Sequence, residues 1–309
     1  MKYCQMIDRL TKILANRKLE YKDTIIIGDN SSGKSDILKQ LIENDAEGVF
    51  YFIDAVNRYF NVAQIMPNPI PNIAYSTEIS KCRIKEENFN QRDSFYYKGT
   101  PRAVEELYAN YVDEITEMME EFLTIKFDIK QGEVGLEVYI DEEEVTLSSG
   151  YQALMRIFLE TIYFASTRET GTIVIDEIDE FLSVSNSGRI LGFLRNKFPK
   201  LNFFVTTHSA DLIAHSENIN LVLLENQNFE IVDAGDFASI SQVYDIFEAV
   251  LGKSVNKSHK QQTDETLRML LNNKIAGVWE RNDEALLQEI KSRELTRAQR
   301  LIIRQIEAW

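Results

Sequence analysis

The chain has 309 residues, of which 44% are hydrophobic, so it is long enough to bury a substantial core in one large domain or two small ones. Its net charge of −15 argues against a protein that coats nucleic acid over its whole surface, although it is compatible with a local basic patch. Two cysteines, Cys4 and Cys82, form neither a disulfide framework nor a zinc motif, and no signal peptide or membrane span is evident. We therefore expect a cytoplasmic protein.

Hydrophobic periodicity divides the first half of the chain into helices and strands. In chain order, it predicts a helix at 3–18, a buried strand at 24–27, a helix from Lys34, a buried strand at 49–54, an edge strand at 81–85 and an acidic helix from Pro101 to residue 122. Three prolines at 67, 69 and 71 exclude a helix around them. Residues 124–145 alternate in polarity on both sides of Gln131-Gly132-Glu133, which predicts a β-hairpin.

The second half predicts a helix at 151–165 and then three short apolar strands, at 172–176, 202–207 and 221–225, the last of which returns through 229–232. Strands that alternate with helices indicate an α/β fold with a mostly parallel, doubly wound sheet. From about residue 241 the pattern is helical, and a capping box at Thr296 begins the final helix. We expect an N-terminal helix at 1–20, a core domain at 21–240 with a β-hairpin lobe and a short helical insertion at about 65–123, and a helical tail at 241–309.

The segment between the first strand and its helix has the spacing G-x-x-x-x-G-K-S of a P-loop. Gly28 allows a tight turn, and Gly33 lets the backbone approach a phosphate where a Cβ atom would clash. The amides between them form a nest for phosphate oxygens, Lys34 brings a positive charge to the β- and γ-phosphates, and the Ser35 hydroxyl is a ligand for Mg²⁺. The nucleotide site is predicted to consist of Gly28, Asp29, Asn30, Ser31, Ser32, Gly33, Lys34, Ser35 and Asp36.

A second polar cluster follows the apolar run 173–175, which ends in Asp176 and Glu177. We expect the end of this strand to lie beside the P-loop, with Asp176 in the Mg²⁺ shell. Glu177 is then placed to orient or deprotonate a water that attacks the γ-phosphate. The alternative is an ordinary acidic pair on the surface, but the apolar run that precedes the pair and the P-loop favour a site.

Two further motifs are weak when each stands alone. Ser148-Ser149-Gly150 precedes a helix, where free amides form an anion site, although the same residues also make ordinary turns. His208 follows the strand at 202–207, and a lone histidine is more often structural than catalytic. We expect its strand to neighbour that of Asp176, which would bring His208 within reach of a γ-phosphate.

Together and in this order, the four motifs resemble those of ABC-type ATPases. Lys34 falls in Walker A, residues 148–150 in the signature motif, Asp176 and Glu177 in Walker B, and His208 in the switch-histidine loop. The resemblance covers roughly residues 22–235. It implies a P-loop NTPase fold, ATP and Mg²⁺ as cofactors, and ATP hydrolysis with Glu177 and His208 as catalytic residues.

Three details resemble the non-transporter branch of this superfamily: the signature sequence, the continuation of Walker B into Ile178-Asp179-Glu180, and the sequence at 206–213. This branch contains the SMC, Rad50, RecF and OLD-like ATPases, including AAA family ATP-binding proteins of bacterial antiphage systems. Two residues depart from the usual motifs, because Ser31 replaces a glycine of Walker A and Tyr151 replaces a glutamate of the signature. Neither change removes a phosphate ligand. The predicted helix at 1–20 replaces the antiparallel strands of the family, so no aromatic residue is assigned to the adenine.

The resemblance also implies a glutamine loop after the second strand, for which Gln64 is the candidate and Asn57 and Arg58 are alternatives. It further implies a head-to-tail homodimer, or a larger homo-oligomer, in which ATP on one P-loop is covered by the signature motif of another subunit. Only residues 65–123 separate the lobes, which leaves no room for the long coiled coil of SMC and Rad50 proteins.

These features favour a nucleotide-gated ATPase that senses or regulates a separate effector protein, such as a nuclease, in antiphage defence. The chain itself has three histidines and no nuclease motif. The alternative is a RecF- or Rad50-like DNA-binding ATPase of DNA repair. It would use two groups of basic residues, Lys81, Arg83, Lys85, Arg92, Lys98 and Arg102, or Arg293, Arg297, Arg300 and Arg304. Ordinary surface charge explains both groups better on so acidic a protein. The signature and Walker B sequences disfavour a transporter subunit.

Overall fold

The computed structural model describes residues 2–16, 19–29, 31–55, 58–85, 93–133, 135–225, 227–236, 281–293 and 297–308, together with residues 263, 266, 267, 270, 271, 274, 279 and 295. Contacts divide the chain into two compact units, Met1–Leu251 and Gly252–Trp309. Within the described residues, no helix combines the length and the hydrophobicity that a membrane span requires. The predicted domain boundary near residue 240 lies outside these residues and stays a prediction.

A six-stranded sheet forms the centre of the first unit. Its strands are β1 (Thr24–Gly28), β2 (Phe50–Ile53), β8 (Gly171–Ile175), β9 (Leu201–Thr206), β10 (Asn220–Glu225) and β11 (Asn228–Asp233). They lie in the order β11-β10-β1-β9-β8-β2. Five strands are parallel, and β11 pairs antiparallel with β10. The predicted α/β fold with a mostly parallel sheet is therefore confirmed.

Helices cover both faces of this sheet because successive strand residues point in opposite directions. Ile26 packs against α1 (Tyr3–Ala15) and α2 (Lys34–Glu43), whereas Ile25 and Ile27 belong to the core on the other face. That second core is formed with α4 (Val112–Leu123), α5 (Ser149–Thr167), α6 (Val184–Lys197) and α7 (Ala210–Ala214). Burial on both faces explains the continuous apolar character of the strands.

Two smaller sheets complete the first unit. A hairpin is formed by β3 (Asp93–Tyr97) and β4 (Thr100–Ala103), and a three-stranded antiparallel sheet by β5 (Phe127–Gln131), β6 (Leu136–Ile140) and β7 (Glu143–Val145). The second sheet confirms the hairpin lobe predicted at 124–145 and adds β7 to it.

The edge strand predicted at 81–85 is wrong, because residues 81–83 are the last turn of helix α3 (Thr77–Arg83) and a turn follows them. The Oγ atom of Ser76 accepts a hydrogen bond from the Glu78 amide at 3.3 Å and caps the helix. From α3, the hydroxyl of Ser80 accepts a hydrogen bond from the Phe52 amide at 3.1 Å, and Arg83 donates to the Phe52 carbonyl at 2.6 Å. Side chains of α3 therefore make hydrogen bonds with the open backbone groups of the edge strand β2, in place of a further paired strand.

The acidic helix predicted from Pro101 is correct only in its second half. Pro101 pairs with Tyr96 in the hairpin of β3 and β4. A 3₁₀ segment, Val104–Asn110, follows, and α4 begins only at Val112. Val104 and Leu107 are fully buried and three residues apart, which is one turn of a 3₁₀ helix and also fits the apolar spacing of an α-helix.

The second unit contains helices α8 (Arg281–Lys291) and α9 (Arg297–Ala308). They contribute to a separate apolar cluster that contains Leu267, Leu270, Leu287, Ile290, Ile303 and Ile306. The helical character predicted for this region is present where the structure describes it. The capping box expected at Thr296 lies outside the described residues.

A buried ion network joins the sheet to α5 in the first unit. Glu160 is fully buried, and its carboxylate accepts Arg83 Nη1 at 2.8 Å and Tyr51 Oη at 2.7 Å. Arg156 Nε lies 2.9 Å from the other carboxylate oxygen, to which Ser94 donates at 3.2 Å. Burial alone would raise the pKa of Glu160, but the two arginines outweigh it and hold the pKa below its usual value.

We predict that Glu160→Gln destabilises the first unit by about 3–5 kcal/mol, because it removes the buried negative charge that Arg83 and Arg156 share. Urea unfolding followed by circular dichroism measures this loss. Glu169→Gln is the matched control, since it neutralises the exposed pair with Lys200 and leaves stability nearly unchanged. Equal stability of the two variants would contradict the prediction.

Candidate functional site

The P-loop segment joins a buried strand to a helix through two residues of left-handed backbone. It leaves the fully buried strand β1, and its Gly33 has φ +105° where α2 begins. Ser31, which replaces a usual glycine, also has a left-handed φ of +67°. A Cβ atom at Gly28 would lie 2.4 Å from Ser32 Oγ and 2.8 Å from Leu224 Cβ, so only glycine fits there. Asn30, a predicted member of the site, lies outside the described residues.

Two polar groups of the loop, the Lys34 ammonium and the Ser32 hydroxyl, are buried within it. The buried ammonium of Lys34 donates to the carbonyls of Gly28 at 2.8 Å and Asp29 at 3.2 Å. The Oγ atom of Ser32 is buried and has no hydrogen-bond partner among the described residues. A buried cation and an unsatisfied hydroxyl beside two glycines are groups that fit a nucleotide phosphate. Ser35, expected to bind Mg²⁺, is exposed at the start of α2.

Helix α1 packs directly on this loop, an arrangement that sequence reasoning did not anticipate. A Cβ atom on Gly33 would lie 2.8 Å from Ile7 Cδ1 and 2.9 Å from Tyr3 Oη. Tyr3 also donates a hydrogen bond to the carboxylate of Asp36, a predicted member of the nucleotide site. Burial and the neighbouring Asp36 raise the pKa of Tyr3 to about 12, so its hydroxyl stays protonated and available as a donor.

In the sheet, the strand that carries Asp176 is not directly adjacent to the P-loop strand. Strand β9 lies between β1 and β8 and pairs with both, with Ile26 opposite Thr206 and Ile175 opposite Val205. The neighbour relation predicted between the strands of Asp176 and His208 is confirmed. Because parallel strands end at one edge of the sheet, the P-loop, Walker B and His208 all lie at that edge.

The two Walker B carboxylates have different environments. Asp176 accepts a hydrogen bond from the Thr206 hydroxyl at 2.6 Å. Burial raises the pKa of Asp176, although this hydrogen bond and the positive charges of Arg58 and Lys34 oppose the rise. Glu177 has a left-handed φ of +46°, and its amide donates to the Thr206 hydroxyl at 2.7 Å.

Glu177 and His208 form the exposed part of this site. Glu177 Oε1 lies 3.5 Å from His208 Nε2, and about a third of each side chain is exposed. Burial, followed by the negative charges of Asp176 and Glu180, raises the pKa of Glu177. A carboxylate of raised pKa that is open to solvent is suited to accept a proton from a water molecule.

Among the residues proposed for the glutamine loop, the structure brings Arg58 to Walker B. Its side chain is 2% exposed, and Nη2 donates to the Asp176 carbonyl at 2.8 Å. Burial lowers the pKa of Arg58 to about 10, and its Nε and Nη1 atoms have no hydrogen-bond partner among the described residues. Gln64 is exposed in the 3₁₀ turn Val62–Gln64, which packs against β6. Asn57 lies outside the described residues.

The predicted signature residues occupy the first turn of α5. Ser148 caps the helix, with its Oγ accepting the Tyr151 amide at 3.3 Å, and both Ser148 and Ser149 are exposed. A Cβ atom at Gly150 would lie 3.1 Å from the carbonyl of Phe181, which belongs to the loop after Walker B. The helix N-terminus is thus open to solvent and in contact with the acidic loop.

No family model matches the chain, and no curated protein matches it either. Several solved structures share similarity of fold at low sequence identity. An SMC head bound to the C-winged helix domain of ScpA is 16% identical with a TM-score of 0.31, and the match covers 40% of this chain and 42% of that one. This chain therefore matches less than half of that protein's length.

Two further structures match over more of the chain. The SMC head domain from Thermotoga maritima is 14% identical with a TM-score of 0.38, and the match covers 68% of this chain and 89% of that one. An inward-facing putative metal-chelate type ABC transporter is 18% identical with a TM-score of 0.39, and the match covers 74% and 79% of the two chains. At such identities and TM-scores, the chemistry of this chain has to be judged from its own site.

Proposed function

We propose that this protein is an ABC-type ATPase that binds and hydrolyses ATP and works as a nucleotide-gated dimer or larger homo-oligomer. The observation that carries this proposal is the meeting of Lys34, Asp176, Glu177 and His208 at one edge of the parallel sheet, beside a loop with the backbone of a P-loop. A cationic cradle and a solvent-facing carboxylate together are the parts that phosphoanhydride hydrolysis needs.

Each part of the proposed site has a separate task. The loop amides and Lys34 would hold the phosphates, and Ser35 and Asp176 would hold Mg²⁺. The bound metal would neutralise charge on the β- and γ-phosphate oxygens. Glu177 accepts a proton from the attacking water, and His208 orients that water or contacts the γ-phosphate.

The exposed first turn of α5 supports the head-to-tail arrangement. Ser148 and Ser149 present a helix N-terminus to solvent, where it can receive a phosphate held by another subunit. In such a dimer, ATP binding closes the interface and hydrolysis opens it. A nucleotide-dependent change of this kind would allow the protein to regulate a separate effector, such as a nuclease in antiphage defence.

The DNA-repair alternative loses support from the positions of its basic residues. Arg83 is buried in the ion network with Glu160 and is unavailable to DNA. Arg102 pairs with Glu106, and Arg293 pairs with Glu289. The net charge of −15 fits a protein partner better than bulk DNA.

We predict that Lys34→Ala lowers the affinity for ATP about 100-fold or more, since charge-assisted hydrogen bonds to phosphate are among the strongest in proteins. Titration with a fluorescent ATP analogue measures the change. Lys39→Ala is the control, because Lys39 is a half-buried residue of the same helix outside the loop, and this variant keeps wild-type affinity. Unchanged affinity of the Lys34 variant would overturn the P-loop assignment.

We predict that Glu177→Gln lowers kcat by about 10²- to 10⁴-fold, the range of general base catalysis, and leaves ATP-bound dimers or larger assemblies that persist. Multi-angle light scattering with saturating ATP and Mg²⁺ detects these assemblies. Glu169→Gln is the matched control, because Glu169 is exposed and pairs with Lys200 away from the site, so this variant keeps the wild-type rate. A monomeric Glu177 variant under these conditions would rule out the dimer.

Mixing two inactive variants tests whether the site is shared between subunits. Lys34→Ala removes the P-loop cation, and Ser149→Arg blocks the exposed signature turn without disturbing the core. Each variant alone should be inactive, whereas an equal mixture should recover about a quarter of the wild-type rate, because half of the dimers carry one intact site of two. No recovery on mixing, with both variants folded and dimeric, argues for a site within one chain.

A further inference from the structure

A single hydroxyl connects the two Walker B residues. Thr206 is the last residue of β9 and is fully buried. Its Oγ1 donates to Asp176 Oδ1 at 2.6 Å and accepts the Glu177 amide at 2.7 Å. The proton of this hydroxyl bonds to Asp176, and one of its two lone pairs accepts the Glu177 amide, so a single group holds both residues of the motif.

These bonds determine how the chain turns after β8. Glu177 has φ +46°, a left-handed conformation that is costly for a residue with a side chain. The Thr206 hydroxyl satisfies the Glu177 amide, and the Thr206 carbonyl accepts the Ile178 amide at 3.1 Å. Both amides of the turn are thus held by one residue of the neighbouring strand, and this turn places the Glu177 carboxylate beside His208.

The same hydroxyl also orients Asp176. A hydrogen bond at Oδ1 fixes the rotation of the carboxylate and leaves Oδ2 for another ligand. Residues that orient a metal ligand in this way commonly affect metal affinity or activity 10- to 100-fold when they are replaced.

We propose that Thr206 is a positioning residue for ATP hydrolysis, which sets the orientation of the Asp176 carboxylate and the left-handed turn at Glu177 at the same time. This inference rests on the proposed ATPase function and adds a residue to it. Thr206 is fully buried and its hydroxyl bonds to Asp176 and Glu177, so its removal should affect the rate and the Mg²⁺ dependence rather than nucleotide binding itself.

The adjacent residue offers a matched control. Thr207 is also fully buried, and its Oγ1 donates to Asp179 Oδ1 at 2.6 Å and accepts the Ser209 amide at 2.8 Å. It therefore makes the same two kinds of hydrogen bond, to a carboxylate and to an amide, but Asp179 lies outside the Walker B pair. Thr207→Val reproduces the chemical change of Thr206→Val at a neighbouring position.

The experiment compares Thr206→Val, Thr206→Ser and Thr207→Val in the full chain. We measure kcat and KM for ATP hydrolysis, the Mg²⁺ concentration at half-maximal rate, and the binding of a fluorescent ATP analogue without Mg²⁺. Thr206→Val should lower kcat about 10- to 100-fold and raise the Mg²⁺ requirement, with metal-free binding within about twofold of wild type. Thr206→Ser should recover most of the rate, and Thr207→Val should stay close to wild type.

Wild-type kcat and Mg²⁺ dependence in Thr206→Val would overturn the proposal, as would equal losses in Thr206→Ser and Thr206→Val. Equal losses in Thr206→Val and Thr207→Val would also overturn it, because a general loosening of the strand end explains such a result. If Thr206→Val does not fold, Thr206→Cys replaces it, since the thiol keeps the volume and donates only weakly. Absence of ATP hydrolysis in the wild-type protein itself would refute the proposed function rather than the role of Thr206.

Discussion

The parallel pairing of β9 with β1 on one side and β8 on the other is the constraint on which the site depends. It places Thr206 opposite Ile26, two residues before the P-loop begins, and Val205 opposite Ile175, one residue before Asp176. Three chain segments therefore reach the same sheet edge, although more than a hundred residues separate the P-loop from Walker B. A shift of register in either pairing would separate the parts of the site.

Polar groups are buried in two distinct ways in this fold. The network around Glu160 is fully satisfied and lies inside the core, where it anchors α5 to the sheet through Tyr51 and Arg83. At the sheet edge, in contrast, Ser32 and Arg58 keep buried atoms without hydrogen-bond partners among the described residues. Satisfied networks give rigidity, whereas a buried polar atom without a partner costs free energy that a ligand bound beside it would offset.

The anchoring of α5 gives a physical reason for the position of the signature turn. The same helix carries Glu160 in its interior and Ser148 and Ser149 at its exposed N-terminus. Gly150 contacts the loop after Walker B, so the signature turn and the acidic loop are neighbours within one chain. In a dimer, binding of a partner's phosphate at the signature turn of one subunit would therefore be coupled to the carboxylates of that same subunit.

Local sequence determined a large part of this protein. The strands β1, β8, β9 and β10 follow from short apolar runs, and the P-loop follows from glycines whose conformations other residues rarely adopt. The elements predicted at 81–85 and near Pro101 were wrong, because contacts of their side chains with distant parts of the fold decide the secondary structure there. Arg83, in helix α3, donates a hydrogen bond to the backbone carbonyl of Phe52 in strand β2. Val104 and Leu107 bury their side chains in a 3₁₀ segment instead of an α-helix.

Only the tertiary structure decided the order of the strands and the contacts between motifs. No local pattern shows that β9 separates β1 from β8, since pairing depends on how all the strands share one core. The roles of Thr206, Arg58 and Tyr3 were hidden for the same reason, because each acts through a partner at least 29 residues away in the chain. The sequence by itself therefore determined which chemical groups the protein has, and the packing of the sheet determined which of them meet.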